Sequence, residues 1–176
     1  MLNRITVNLL LKSVIVTLAL AVVIVLSIAA WSSWSRVAAV SRIAVVADAS
    51  SDLFKALHNL RIDRATTVRE LNAEDKQGGS SMLKGVRDAE MPALQSALKA
   101  LETAEFPEKQ TAVAKLSEAT QKLIALQKQT TDALTHAKAE RPQGLAQEFS
   151  KQTSDLLQLI ETISAQLNRS VKLEDA

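Results

Sequence analysis

An all-α fold is what this sequence predicts: an N-terminal transmembrane helix continuing into an antiparallel up-down four-helix bundle. Three observations predict it. Ala, Leu, Lys, Glu, Gln and Ser dominate, while Gly and Pro number only 4 and 3 in 176 residues. That mixture favours long helices, because Gly and Pro break them. A charge-free apolar run fills residues 14–30, and beyond it apolar residues recur at steps of three and four, in segments separated by turn-forming residues.

The apolar run contains Val14, Ile15, Val16, Leu18, Leu20, Val22, Val23, Ile24, Val25, Leu26 and Ile28. At about −0.3 to −0.6 kcal/mol each, these side chains favour insertion into a bilayer by roughly 3 to 6 kcal/mol. With Trp31 the stretch approaches the ~20 residues that a helix needs to cross the hydrocarbon layer. Trp31 and Trp34 follow where amphipathic rings favour the interface. Arg4, Lys12 and the terminal amine precede the run and orient it by the positive-inside preference. Residues 1–13 are thus expected to form a short cytoplasmic lead, 14–31 the membrane helix, and 32–176 a periplasmic or extracytoplasmic domain held at the cytoplasmic (inner) membrane. Arg36 and Arg42 place opposing charge on the other flank. The competing reading is a cleaved signal peptide, with Ser27-Ile28-Ala29 as a small-x-small site.

The outer domain divides by its punctuation. Helix-forming sequence continues from the membrane to about Ala73, and Asp75-Lys76-Gln77-Gly78-Gly79-Ser80-Ser81 reads as the far tip of a hairpin. The four helices are expected at about 32–73, 82–104, 108–140 and 145–171. Pro92 either kinks the second helix or marks its proper start. Phe106-Pro107 and Arg141-Pro142-Gln143-Gly144 separate the remainder. Helix three carries a weak seam through Val113, Leu116, Thr120, Leu123, Gln127, Thr130 and Leu134. Helix four carries a stronger one through Phe149, Thr153, Leu156, Ile160, Ile163, Leu167 and Val171. Short connections between such helices imply antiparallel neighbours.

Charge and composition exclude several functions. With Arg4 and Lys12 set aside, the outer domain is formally neutral, since the first acid is Asp48. It lacks the basic stripe that nucleic-acid binding requires. The chain has no Cys, which removes disulfides, thiolate zinc sites and cysteine nucleophiles. No catalytic constellation is present and no cofactor is expected. His58 and His136 lack the acid spacing of a metal site. Charge clusters such as Lys138-Ala139-Glu140-Arg141 read as solvated faces. A small-residue stripe of Ala38, Ala39, Ala44, Ala47 and Ala49 suits either the close approach of a second copy or ordinary core.

The candidate ligand-binding residues are Arg61 and Arg64. One seam of the first outer helix runs through Val40, Ile43, Ala47, Ser50, Phe54, Leu57, Arg61, Arg64, Val68 and Leu71. A second runs through Leu53, Leu57, Leu60, Arg64, Val68 and Leu71 and moves Arg61 to the flank. Arg64 faces inward in both. A guanidinium stays charged inside a protein, so a buried one requires an anionic partner. That partner is either a small anionic ligand, whose carboxylate or oxyanion matches the planar fork, or an internal acid among Glu90, Glu102, Glu118 and Asp132. The third alternative is snorkelling, with the charge in water.

A short basic lead, a membrane helix running into a four-helix bundle, and paired Arg in the first outer helix resemble the sensory half of bacterial methyl-accepting chemotaxis receptors. The stretch Leu53-Phe54-Lys55-Ala56-Leu57-His58-Asn59-Leu60-Arg61-Ile62-Asp63-Arg64 is similar to the first-helix region of such sensors, including helical domains related to nitrate and nitrite sensing. The resemblance implies a homodimeric, non-enzymatic ligand-sensing module for signal transduction. It implies a small molecule bound near the distal part of helix one, and displacement of helix four passing through a second span to a HAMP linker and signalling rod. Those later parts are missing here, so the sequence reads as the N-terminal portion of a truncated or partial receptor. The alternatives are a membrane-tethered structural or partner-binding bundle, and the sensor of a histidine kinase or cyclic-nucleotide enzyme.

Overall fold

Residues 7–72 contain neither Gly nor Pro, and in the computed structural model they form one helix, α1 (Val7–Asn72). The structure describes residues 7–74 and 78–174, with side chains at 12, 14–31, 43–74 and 78–170. Three longer helices follow: α2 (Ser81–Thr103), α3 (Lys109–Ala133) and α4 (Leu145–Glu174), with a short 3₁₀ turn at Lys138–Glu140 before the last. No strand occurs among the described residues. The fold is all-α.

The chain divides into two units, Met1–Ser41 and Arg42–Ala176. In the first, Val14–Trp31 is long and apolar enough to cross a membrane, and none of it is buried. Arg4 lies outside the described residues, and the side chains of Trp34, Arg36 and Arg42 lie outside the described side chains.

In the second unit, neighbouring helices run antiparallel. Asp63 of α1 meets Arg87 of α2, and eleven residues earlier in α1, Asp52 lines one surface groove with Ser96, further along α2. The same inversion relates Arg87–Thr131 to Glu90–Gln127 between α2 and α3. It also relates Arg64–Ser154 to Arg61–Glu161 between α1 and α4. Leu53, Leu60, Leu94, Leu101, Leu116, Leu123, Leu134, Phe149, Leu156, Ile160, Ile163 and Leu167 are the largest fully buried side chains. Each fully buried Leu or Ile contributes roughly 1.5 to 3 kcal/mol through the area it removes from water.

The seams of α3 and α4 follow their apolar spacing: Leu116, Thr120, Leu123, Gln127, Thr130 and Leu134 are buried, as are Phe149, Thr153, Leu156, Ile160, Ile163 and Leu167. Val113 is half-buried, and Val171 lies outside the described side chains. On α1 the second register is nearer the observed core. Leu53, Leu57, Leu60 and Leu71 are buried, whereas Ile43, Ala47, Phe54 and Arg61 of the first register are exposed. The alanine stripe is split, with Ala49 buried and Ala44 and Ala47 exposed.

The first helix begins earlier than expected, at Val7, and α4 runs on to Glu174, but the largest difference at an inner boundary is at α3. α3 stops at Ala133 rather than near Glu140, because Thr135 N–H donates to Asp132 O and His136 N–H to Ala133 O, tightening the chain into a turn. The Thr135 hydroxyl also donates to Asp132 O, a local bond that competes with continued helix. α2 starts at Ser81 and passes through Pro92. Its cap is Ser80, whose Oγ accepts from Leu83 N–H while its own N–H donates to Glu70 Oε2. Glu108, at the entry to α3, has φ 60 and ψ 19, a left-handed conformation costing a non-glycine residue about 1 kcal/mol.

Candidate functional site

Positions 46, 49, 53, 56, 60, 63, 67 and 70 of α1 step by three and four and are all buried. The first five are apolar, and the last three are Asp63, Thr67 and Glu70. The heptad line therefore carries polar side chains into the distal half of the core, where an unpaired polar group costs several kcal/mol. Neighbouring helices answer with a polar cluster.

Asp63, fully buried, accepts from Thr67 Oγ1 at 2.6 Å and from Gln127 Nε2 at 2.7 Å. It forms an ion pair with Arg87, whose Nε lies 3.3 Å from both carboxylate oxygens. Arg87 Nη1 donates to Gln127 O and Thr131 Oγ1, and Nη2 to Thr67 Oγ1 and Thr130 Oγ1. All five N–H groups of the guanidinium are thus used. Its carbon lies 5.9 Å from the centre of the Phe149 ring, which adds a cation–π contact from α4.

Glu90 completes the cluster on weaker terms. It is fully buried, and its Oε1 accepts from Gln127 Nε2 at 2.8 Å. Its Oε2 is buried with no hydrogen-bond partner among the described residues. Burial first, and the charge of Asp63 second, push the Glu90 carboxyl up to about 8, against the opposing pull of Gln127 and Arg87.

The two predicted ligand residues sit elsewhere, on the α1–α4 face. Arg61 is exposed and pairs with Glu161 at 2.9 Å, each side chain being more than half exposed, so the pair contributes about 1 kcal/mol or less. Arg64 is half-buried and donates from Nη1 to Ser154 Oγ at 2.7 Å. None of Glu90, Glu102, Glu118 and Asp132 pairs with it. Among the described residues Arg64 takes part in no ion pair.

No protein-family model, curated protein or solved structure matches this chain. What the clusters can do must come from their own chemistry. Among the described residues no group of three or more His, Asp or Glu is placed to hold a metal ion, and His58 and His136 are both exposed.

Sequence reasoning passed over Arg87 and misread Arg141. The cluster Lys138-Ala139-Glu140-Arg141 is not uniformly solvated. Lys138 is exposed and pairs with Glu74, but Arg141 is 7% exposed. Arg141 Nη1 lies 2.8–2.9 Å from the carbonyl oxygens of Glu70, Leu71 and Ala73, and Nε donates to His136 O. Those carbonyls lie at and just past the end of α1, where the helix runs out of donors; of the three, Glu70 O also accepts from the main-chain N–H of Ala73. A buried cation at a helix C-terminus also complements the helix dipole. Arg141→Ala is expected to lower stability by about 2 kcal/mol, from loss of charge-assisted bonds and orphaned carbonyls. Urea unfolding of the full chain in detergent checks this. The Lys138→Ala change should stay within about 0.5 kcal/mol.

Proposed function

We propose that the chain is a membrane-tethered, extracytoplasmic ligand-sensing module of a chemoreceptor-type signalling protein, acting as a homodimer and taking a small anion at Arg64. The observation that carries this reading is the state of Arg64. A half-buried guanidinium with one hydroxyl partner keeps donors in the planar arrangement that a carboxylate or oxyanion accepts. Arg61 stands one helical turn away and is held by a weak, exposed pair, so it is free to join the same ligand at little cost. Helix α1 contains both the apolar stretch Val14–Trp31 and one wall of the bundle, which supports tethering. Its exposed residues Ile43, Ala47, Ser51, Phe54 and His58 step by three and four, and Phe54 is 70% exposed. That face supports the second copy.

The test is thermal stability of the full chain in nanodiscs, titrated with organic acids, amino acids and nitrate. A specific ligand at a hundred times its dissociation constant adds about 2.7 kcal/mol. Arg64→Ala should abolish that shift while leaving the unliganded transition within about 1 kcal/mol of wild type. No response to any anion, or an equal response in the variant, rejects the anion site. The second reading is a tethered bundle whose partner is another protein. The complete internal satisfaction of Arg87 favours it, because a core closed in this way leaves that arginine no donor for a ligand.

A further inference from the structure

One arginine faces two buried carboxylates in the distal core, and the three cannot all be charged and balanced. Arg87 of α2 gives its Nε–H to Asp63 of α1 and makes no hydrogen bond to Glu90. Gln127 of α3 places its single amide nitrogen between the two acids, 2.7 Å from Asp63 Oδ2 and 2.8 Å from Glu90 Oε1. Asp63 thereby has donors on both oxygens. Glu90 has one donor on one oxygen and none on the other. A bare carboxylate in that position would be a buried, unpaired charge, which is far costlier than a neutral carboxyl with one unmet group. The groups facing Glu90 are Asp63 from α1, Arg87 from its own helix, and neutral Gln127 from α3. α4 brings the ring of Phe149 against Arg87 and none of the charges acting on Glu90.

We propose that the Asp63–Glu90 pair is a proton-binding site, with the proton on Glu90 Oε2, and that its occupancy couples the packing of α1, α2 and α3 to external pH. The proposal deepens the reading of the chain as an input module by naming hydrogen ion as an input. With the proton bound, Gln127 ties three helices together through two acceptors. With the proton lost to water, two carboxylates share one amide and one guanidinium. Their repulsion and the need to hydrate Glu90 then favour a loosened distal core.

The sign of the effect follows from linkage. The folded state holds the proton up to about pH 8, whereas an unconstrained glutamate releases it near 4.5. The stabilisation is therefore complete below the unfolded value and lost as pH rises through the folded one. Between those limits the unfolding equilibrium constant should rise about tenfold per pH unit relative to a chain lacking the proton.

The experiment is unfolding of the full chain in detergent from pH 5 to 9, for wild type, Glu90→Gln and Asp63→Asn, alongside infrared spectra of the carboxyl region. Wild type should lose stability across the range relative to Glu90→Gln, which mimics the neutral acid. Asp63→Asn should move the loss to lower pH, because Arg87 then faces Glu90 alone. A protonated-carboxyl band should be present in wild type at neutral pH, fade above pH 8, and be missing in Glu90→Gln. Identical pH profiles for wild type and Glu90→Gln, or no carboxyl band at neutral pH, overturn the proposal. Such a result would leave the anion response at Arg64 untouched, so the two readings fail separately.

Discussion

Arg87→Ala is expected to destabilise the bundle by about 3 to 5 kcal/mol, a large fraction of the 5 to 15 kcal/mol that holds a domain of this size together. The cost comes less from the contacts removed than from what they leave behind. Asp63 stays fully buried with its ion-pair partner gone, and Thr67, Thr130, Thr131 and the Gln127 carbonyl each lose a donor. The natural probe is circular dichroism during urea unfolding, because Tyr is absent and the two Trp lie in the N-terminal unit. A reduced midpoint with unchanged slope reports lost stability. Pairing Arg87→Met with Asp63→Leu should recover much of the loss, since replacing both members of a buried ion pair by apolar groups is often close to neutral. If the double variant is no better than Arg87→Ala, the cost lies in the lost bonds to the threonines and the Gln127 carbonyl and not in the stranded Asp63 charge.

Phe149→Ala should cost a similar amount, about 3 to 5 kcal/mol. The ring is fully buried on the α4 seam, and the cavity left by its removal opens directly beneath the Arg87 guanidinium. Loss of the ring face adds to loss of apolar area, because a desolvated cation–π contact is worth about 2 kcal/mol. Phe149→Leu restores most of the apolar volume without the ring. Its remaining deficit, measured in the same urea titration, separates the two contributions. Combined with Arg87→Ala, the Phe149→Leu cost should shrink, since neighbours that share a contact are not additive.

These two residues mark where the sequence was legible and where it was not. Phe149 opens a seam that is apolar at every described position but Thr153, and period alone places it in the core. Arg87 stands on a helix with a weaker pattern and a Pro in its interior, and nothing in its immediate neighbours distinguishes it from a surface charge. The signal that would have found it lies on α1. Continuing the line Leu53, Ala56, Leu60 by heptad steps lands on Asp63, Thr67 and Glu70. Three polar residues on a core line demand partners. Apolar spacing alone left two registers open, and the one through Phe54 and Arg61 is the one the fold leaves on the outer face. Arg141 was hidden for a different reason. Its partners are main-chain carbonyls, and those have no side-chain identity from which a pairing can be read.

That last contact also orders events in time. The donor that closes the end of α1 is encoded 68 to 71 residues after the carbonyls it serves. On a ribosome adding about 5 to 20 residues per second, α1 is complete for several seconds before Arg141 exists. Through that interval its last carbonyls lack the Arg141 donor. Because joining it closes a long loop, the entropy of that closure falls on a late step of folding. The terminal turn of α1 is therefore finished by the connection that precedes α4, and the first helix to be made is among the last to be sealed.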